Sequence, residues 1–143
     1  MPRLRRRSLL LAAPALASPG LLRAQSGPPH EWLFGSWTGG IFPAVETQGP
    51  GCFGNAVVIF TRDVVMRMAH LDVAYRQRLI ETVAPSADGV EIRLVPMAGR
   101  ALPESGFGCG GNPDLLRVSR LGPDEIEFPN CVEFPSLLRR CRT

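Results

Sequence analysis

Residues 85–94 read PSADGVEIRL, and this stretch decides the fold class. Apolar residues at positions 90, 92 and 94 alternate with Glu91 and Arg93, which is the period of a strand with one buried and one wetted face. The run of proline, serine, aspartate and glycine before Val90 is typical of the turn of a β-hairpin. The stretch therefore predicts the second strand of an antiparallel hairpin.

The segment Leu71–Val83 is predicted to be the first strand of this hairpin. A helix is the alternative, because good helix formers occupy positions 76–81, but β-branched residues and the tight turn that follows favour a strand. One register places Ile80 opposite Leu94 and Glu81 opposite Arg93, which pairs apolar with apolar and charge with charge.

The same signals recur along the chain. Residues 115–119 and 125–128 alternate in the same way, and the β-branched run 56–60 with the run 64–69 predicts a further hairpin. From Glu31 to Phe42 the pattern is strand-like, and residues 96–114 form one long loop rich in glycine and proline. Seven or eight short strands joined by near-neighbour turns predict one small antiparallel meander, which closes into a barrel or folds into a sandwich.

Residues 1–24 carry the features of a cleavable export signal. Arginines precede an apolar run, Leu9–Ala17, that is too short for the roughly 20 residues of a membrane-spanning helix. We expect cleavage before Gln25, with a cut after Ala17 as the alternative. The pair Arg6-Arg7 resembles a twin-arginine signal, and the general secretory route is its rival. The prediction is a periplasmic or secreted protein, with residues 25–143 as a single domain and no membrane span in the mature chain.

The charge of the mature chain differs from that of the precursor. The full chain has 16 basic and 13 acidic residues, and five of the arginines but none of the acids lie in residues 1–24. Residues 25–143 therefore hold eleven arginines against thirteen acids, a net charge near −2. A basic footprint is the expected signature of nucleic-acid binding, so we expect no nucleic-acid partner.

The four cysteines all follow the predicted cleavage site. An even number in an exported chain predicts two disulfides, whereas the wide spacings, without a C-x-x-C pair, disfavour the alternative of a zinc site. Of the three possible connectivities we favour Cys109–Cys131, because each lies at one end of the predicted 115–128 hairpin. Cys52–Cys141 then joins early and late parts of the chain.

Residues 35–37, Gly-Ser-Trp, resemble the G-x-W segment that opens the first strand of calycins, the lipocalin superfamily. The resemblance implies an up-and-down barrel with an apolar lumen, in which Trp37 closes one end. It also implies a basic residue of the last strand against this tryptophan, either Arg139, Arg140 or Arg142, and we assign Arg140 to this role. The fold prediction is thus an all-β, lipocalin-like barrel of seven or eight strands, cross-linked by two disulfides.

The sequence offers little for catalysis. His30 falls in a leader, residues 25–30, that we expect to be flexible, and His70 has no identifiable nucleophile with it. Glu125 and Glu127 share the wet face of a strand, where solubility explains them. Nucleotide, calcium and zinc-protease motifs are absent from the sequence. We therefore expect a non-enzyme without a cofactor or metal.

Two functions fit these expectations. The first is binding of a small apolar or amphipathic ligand in the barrel, with Phe60, Met66, Met68 and Tyr75 as the inward-facing candidates. The alternative is a monomeric protein-binding module, such as an inhibitor of an exported hydrolase, which makes contact through the loop around Cys109 or the leader from Gln25. Two Phe-Pro corners, at 42–43 and 134–135, are expected to flank one end of the barrel.

Overall fold

A computed structural model describes residues 27–55, 57–68, 76–98, 107, 109 and 111–143. The predicted signal peptide lies outside these residues. So do His70 and Tyr75, with their predicted roles.

Eight strands follow one another around a closed barrel. Each is antiparallel to the next, and β8 pairs with β1 to close the sheet. The strands are β1 (Gly35–Gly39), β2 (Val57–Phe60), β3 (Val64–Met68), β4 (Arg76–Pro85), β5 (Gly89–Leu94), β6 (Leu115–Arg120), β7 (Glu125–Glu127) and β8 (Leu138–Arg140). The predicted all-β meander that closes into a barrel is confirmed, with eight strands.

The two ends of the barrel differ. At the turn end, where β1 begins, the tight turns 61–63, 86–88 and 121–124 join successive strands. At the loop end, where β1 finishes, longer connections follow β1, β3, β5 and β7. The strand expected from Glu31 begins only at Gly35, because Glu31–Leu33 form one turn of 3-10 helix that covers the turn end.

The β4–β5 hairpin contains a β-bulge that the predicted register missed. Ile80 pairs with Leu94 as predicted, but Thr82, rather than Glu81, pairs with Arg93. Glu81 is the extra residue of the bulge: the three-residue advance from Ile80 to Val83 on β4 faces a two-residue advance from Leu94 to Ile92 on β5. The bulge keeps Ile80 and Val83 on the same side of the sheet.

The interior of the barrel is packed with side chains. One continuous cluster draws on Trp37 and Leu33 at the turn end, on Phe107, Phe128 and Phe134 at the loop end, and on inward residues of the strands between them. Among the described residues, the largest side chains that are almost completely buried include Trp37, Phe60 and Leu33. The apolar lumen implied by the resemblance is thus occupied by the chain itself.

Both predicted disulfides are present. Cys52–Cys141 joins the connection after β1 to the residue that follows β8, and Cys109–Cys131 joins the β5–β6 and β7–β8 connections at the loop end. Cys109 and Cys131 pack with the interior cluster, whereas Cys52 is buried outside that cluster.

Candidate functional site

Strand β3 turns its charged side chain toward the barrel interior and three apolar side chains outward, which is the opposite of the usual arrangement. Val65 and Arg67 are the buried residues of this strand, and Val64, Met66 and Met68 alternate with them on the outer face. The inward orientation expected for Met66 and Met68 was therefore wrong. The one charged residue of the strand lies inside, and the two methionines lie outside.

Arg67 is accommodated inside by contacts that the loop end supplies. Its guanidinium forms an ion pair with Glu133 and lies 5.2 Å from the centre of the Phe134 ring. Phe134 in turn packs against Phe128, with ring centres 5.0 Å apart. A buried charge is tolerated when it is paired and hydrogen-bonded, and the β7–β8 connection provides that partner.

Strand β4 repeats the reversal. Arg78, the cross-strand neighbour of Val65, is buried, whereas Leu79 is 56 % exposed. The guanidinium of Arg78 donates hydrogen bonds to the carbonyl oxygens of Val95, at 3.0 Å, and Pro113, at 3.2 Å, and it forms an ion pair with Asp114. It thus ties both stems of the β5–β6 connection to the barrel.

Arginines take inner positions on β3 and β4, so apolar side chains are left on the outer side of these two strands, and Ile59 of β2 lies beside them. Ile59 of β2 pairs with Met66 of β3, and Val64 of β3 pairs with Leu79 of β4. All are partly or largely exposed. We call the set Ile59, Val64, Met66, Met68 and Leu79 the outer apolar face.

The outer surface of β5 to β8 carries charged pairs, as expected for a solvated sheet. Glu91 of β5 pairs with Arg117 of β6 at 3.1 Å, and Glu125 of β7 pairs with Arg139 of β8 at 3.2 Å. Glu125 thus lies on the wet face, where the sequence placed it. We call the outer surface of β5 to β8 the charged half. On the outer side of β1 and β2, Thr38 and Val57 are buried. The outer apolar face is the part of the outer surface that is unusual in contact with water.

Phe60 points inward, but it does not line an open cavity. It is 1 % exposed and contacts the Phe128 ring edge-on, with the ring centres 6.3 Å apart. A cleft of about 500 Å³ opens instead on the surface beside residues 127–137. Of the four candidate ligand residues, the structure thus places one in the packed core and two on the outer apolar face.

Trp37 and Arg140 meet at the turn end. The Arg140 guanidinium lies 4.2 Å from the centre of the Trp37 ring and donates a hydrogen bond to the Phe34 carbonyl oxygen at 2.8 Å. The Trp37 indole N–H donates to the Leu33 carbonyl at 2.8 Å. Burial lowers the pKa of the Arg140 guanidinium, while the Asp124 carboxylate opposes this lowering. The contact has the geometry that the resemblance implied, and the role of this pair in closing the barrel stays a prediction.

His30 lies in a packed position rather than in a flexible leader. Its side chain is 2 % exposed, and Nε2 lies 3.2 Å from the Thr61 carbonyl oxygen and 3.1 Å from that of Arg62. The ring also meets Phe34 edge-on. The expectation that the leader is flexible as far as residue 30 was wrong, because the His30 side chain joins the segment before β1 to the β2–β3 turn.

The two Phe-Pro corners do share the loop end. The Gly40 N–H donates to the Leu137 carbonyl at 3.1 Å, and the Ser136 N–H donates to the Gly40 carbonyl at 2.8 Å. Gly40 has a φ of +80°, and a Cβ there would lie 2.3 Å from the Phe134 ring, so only glycine fits this contact. Phe134 is buried, and Phe42 is 59 % exposed.

The outer apolar face was missed by reasoning from sequence. The signal for it was the run 64–68, Val-Val-Met-Arg-Met, which is apolar on both faces except for one arginine. Such a strand turns either its arginine or its methionines toward water, and hydropathy predicts that the arginine faces the water. The partner that reverses the choice, Glu133, lies 66 residues further along the chain.

Three comparisons of the chain with known proteins found no match. No family model matches it, and neither a curated protein nor a solved structure matches it. Within the described residues, no helix is long and apolar enough to cross a membrane, and no group of three or more His, Cys, Asp or Glu side chains is placed to hold a metal. The class that the structure defines is a closed, antiparallel β-barrel with two disulfides.

Proposed function

We propose that this chain is an exported β-barrel that binds another protein through its outer apolar face. One observation carries the proposal: β3 and β4 bury Arg67 and Arg78, leave Leu79 56 % exposed, and place Met66 and Met68 partly exposed on the outer side. A sequence that breaks the local hydropathy rule on two adjacent strands, and builds ion pairs inside to do so, is expected to have a functional reason for its exposed side. Methionine is a frequent residue of protein-binding surfaces because its flexible thioether adapts to a partner.

The packed interior favours this function over a ligand in the lumen. A ligand would have to displace Phe60 and the aromatic rings of the loop end, which are in mutual contact. Native mass spectrometry of the protein purified from its own periplasm or medium is expected to give the mass of the chain alone. A retained small molecule whose binding is lost in Phe60→Ala would restore the lumen function.

Affinity capture with matched variants tests the protein-binding function. Leu79→Asp places a charge in the outer apolar face, and Leu121→Asp places the same charge in the β6–β7 turn, where Leu121 is 49 % exposed. Each tagged protein is produced in its native host, and captured proteins are quantified by mass spectrometry. We expect one partner to be retained by the wild type and Leu121→Asp and to fall at least about tenfold with Leu79→Asp, which corresponds to about 1.4 kcal/mol.

The opposite pattern would contradict the proposal. If every captured protein is held equally by the wild type and Leu79→Asp, the outer apolar face is not a binding surface. Circular dichroism and thermal unfolding of both aspartate variants show that each remains folded, so that a lost partner is not mistaken for a lost fold.

A further inference from the structure

His30 is a buried titratable side chain that the proposed function does not use. It is one of two histidines in the chain, and histidine is the side chain that ordinarily changes its charge between about pH 5 and 8. Its side chain is 2 % exposed, and Nε2 lies within hydrogen-bonding distance of the carbonyl oxygens of Thr61 and Arg62. Because a carbonyl oxygen only accepts hydrogen bonds, the neutral ring carries its proton on Nε2 and donates a hydrogen bond to the β2–β3 turn.

The other ring nitrogen, Nδ1, has no place for a second proton. It is buried and has no hydrogen-bond partner among the described residues. The ring that packs edge-on against the imidazole belongs to Phe34, which is apolar. Protonation of His30 would add both an N–H and a positive charge at this position. A buried donor without an acceptor and a buried charge without a partner each destabilise a folded arrangement, so the packed position favours the neutral ring.

The charged groups around His30 do not compensate for this cost. They lie in the 3-10 helix, in the β2–β3 turn and on β8, and they are Glu31, Arg62, Asp63 and Arg140. The first three are exposed to water, which screens their charges. Arg140 carries a positive charge, which repels a protonated histidine. Neither carboxylate bonds to the imidazole, whose Nδ1 has no partner within the part of the chain that the structure describes.

The segment before β1 is attached to the barrel at points that respond differently to pH. His30 binds the β2–β3 turn, whereas the Arg140 guanidinium donates hydrogen bonds to the carbonyl oxygens of Trp32 and Phe34. An arginine stays charged throughout the pH range in which histidine titrates. A surface cleft of about 1060 Å³ opens beside residues 27–29, so these residues pack loosely on the barrel. His30 is therefore the contact that holds the first described residues to the β2–β3 turn.

We propose that His30 is a pH-sensitive switch, whose protonation releases residues 27–31 from the β2–β3 turn while Arg140 keeps residues 32–34 on the barrel. The switch goes beyond the proposed function and does not depend on the outer apolar face. At neutral pH and above, the ring is neutral and its hydrogen bonds hold the segment in place. As the pH falls and the ring takes up a proton, this contribution to stability is lost.

Hydrogen exchange of residues 25–143, purified as one chain, tests the switch. The Leu33 backbone N–H donates to the His30 carbonyl oxygen at 2.8 Å, and the Trp37 indole N–H donates to the Leu33 carbonyl oxygen at 2.8 Å. Between about pH 7.5 and about pH 5, we expect the protection factor of the Leu33 N–H to fall at least about tenfold, after correction for the intrinsic pH dependence of exchange. The Trp37 indole N–H should stay protected, because Arg140 still holds its neighbours.

Two glutamine variants assign this response to one side chain. His30→Gln keeps an N–H donor for the turn but takes up no proton, so its Leu33 protection should not depend on pH. His70→Gln removes the other histidine and should respond as the wild type does. An equal loss of protection in His30→Gln on acidification, or constant protection in the wild type, overturns the switch.

Nuclear magnetic resonance of the wild-type histidine rings decides the matter even if His30→Gln leaves the segment detached at every pH. The ring signals of His30 are expected to shift over the same pH interval in which Leu33 loses its protection. A His30 ring that takes up its proton while Leu33 stays protected overturns the switch, and it leaves binding through the outer apolar face unaffected.

Discussion

Arg140 joins several parts of the turn end with one side chain. Its guanidinium lies over Trp37, donates hydrogen bonds to the carbonyl oxygens of Phe34 and Trp32, and faces Asp124 at 3.4 Å. The two carbonyls belong to the segment before β1, so Arg140 ties the 3-10 helix to the last strand. Charge-assisted hydrogen bonds and an arginine–tryptophan contact are among the stronger polar interactions in proteins.

Arg140→Gln is therefore expected to lower the free energy of unfolding by about 2–4 kcal/mol, because two partly buried carbonyls lose a charged donor and the indole loses its cation. Arg139→Gln is the matched control. Arg139 is half exposed, pairs with Glu125 on the charged outer surface, and should cost under about 1 kcal/mol. Urea unfolding of both variants measures the difference, and equal losses would contradict the role given to Arg140.

The ion pair of the buried Arg67 and the partly exposed Glu133 is expected to respond asymmetrically to substitution. Glu133→Ala leaves the buried Arg67 without its carboxylate and should cost about 3–5 kcal/mol, the usual cost of breaking a buried ion pair. Arg67→Met should cost less, because Glu133 is more exposed than Arg67 and water can solvate it. Chemical denaturation of both variants gives the two values, and a larger loss in Arg67→Met would contradict this account of the pair.

Trp37 shows how far single residues could be interpreted from sequence. A three-residue pattern implied both its position at the barrel end and a basic partner on the last strand, and the contact with Arg140 has that form. Membership of the calycin superfamily remains a prediction. The ion pairs of Arg67 and Arg78 could not be predicted from the sequence. Their partners lie 66 and 36 residues away, in connections that have no periodic pattern of hydropathy.

At the scale of elements, alternation identified the strands of the charged half well. In β5 and β6 the inward residues are apolar and the outward ones mostly polar, so period two and hydropathy agree. In β3 and β4 they disagree, and the orientation was set by long-range ion pairs instead. The same disagreement produced the outer apolar face, so the error in predicting Met66 and Met68 coincides with the proposed binding site.

The bulge at Glu81 gives a prediction that distinguishes two single-residue deletions. Deleting Glu81 leaves Ile80 and Val83 facing inward, since the extra residue is removed, whereas deleting Arg93 moves Leu94 or Ile92 out of the core. We expect the Arg93 deletion to cost at least about 3 kcal/mol, comparable to the loss of a buried leucine, and the Glu81 deletion clearly less. Equal losses in thermal unfolding would show that the bulge itself closes the barrel.

For the whole molecule, the meander, its closure and both disulfides were predictable, because they follow from near-neighbour order and from the oxidising compartment that the predicted export signal implies. The packed lumen was not, because three of the rings that fill the loop end come from residues outside the strands, namely Phe107, Phe128 and Phe134. Residues outside the strands follow no hydropathy period, so the sequence gives no sign that their side chains fill the barrel. The function that depended on an open lumen lost its support for that reason.

The two disulfides should contribute unequally to stability. Cys52–Cys141 closes a loop of 89 residues and Cys109–Cys131 one of 22. The chain-entropy relation gives the longer loop about 1 kcal/mol more stabilisation. We expect Cys52→Ser with Cys141→Ser to lower stability more than Cys109→Ser with Cys131→Ser, with the barrel still formed in both. A near-native far-ultraviolet spectrum and urea midpoints check this, and a reversed order would contradict it.

The most direct measurement of the central claim is a crosslinking map of the outside of the barrel in the native host. Benzoylphenylalanine is placed, one position at a time, at Met66 and Leu79 on the outer apolar face and at Arg93 and Arg117 on the charged half. The account predicts crosslinks to one and the same partner protein from the first two positions and none from the others. Crosslinks of equal yield from all four positions, or from Arg93 and Arg117 alone, would contradict it.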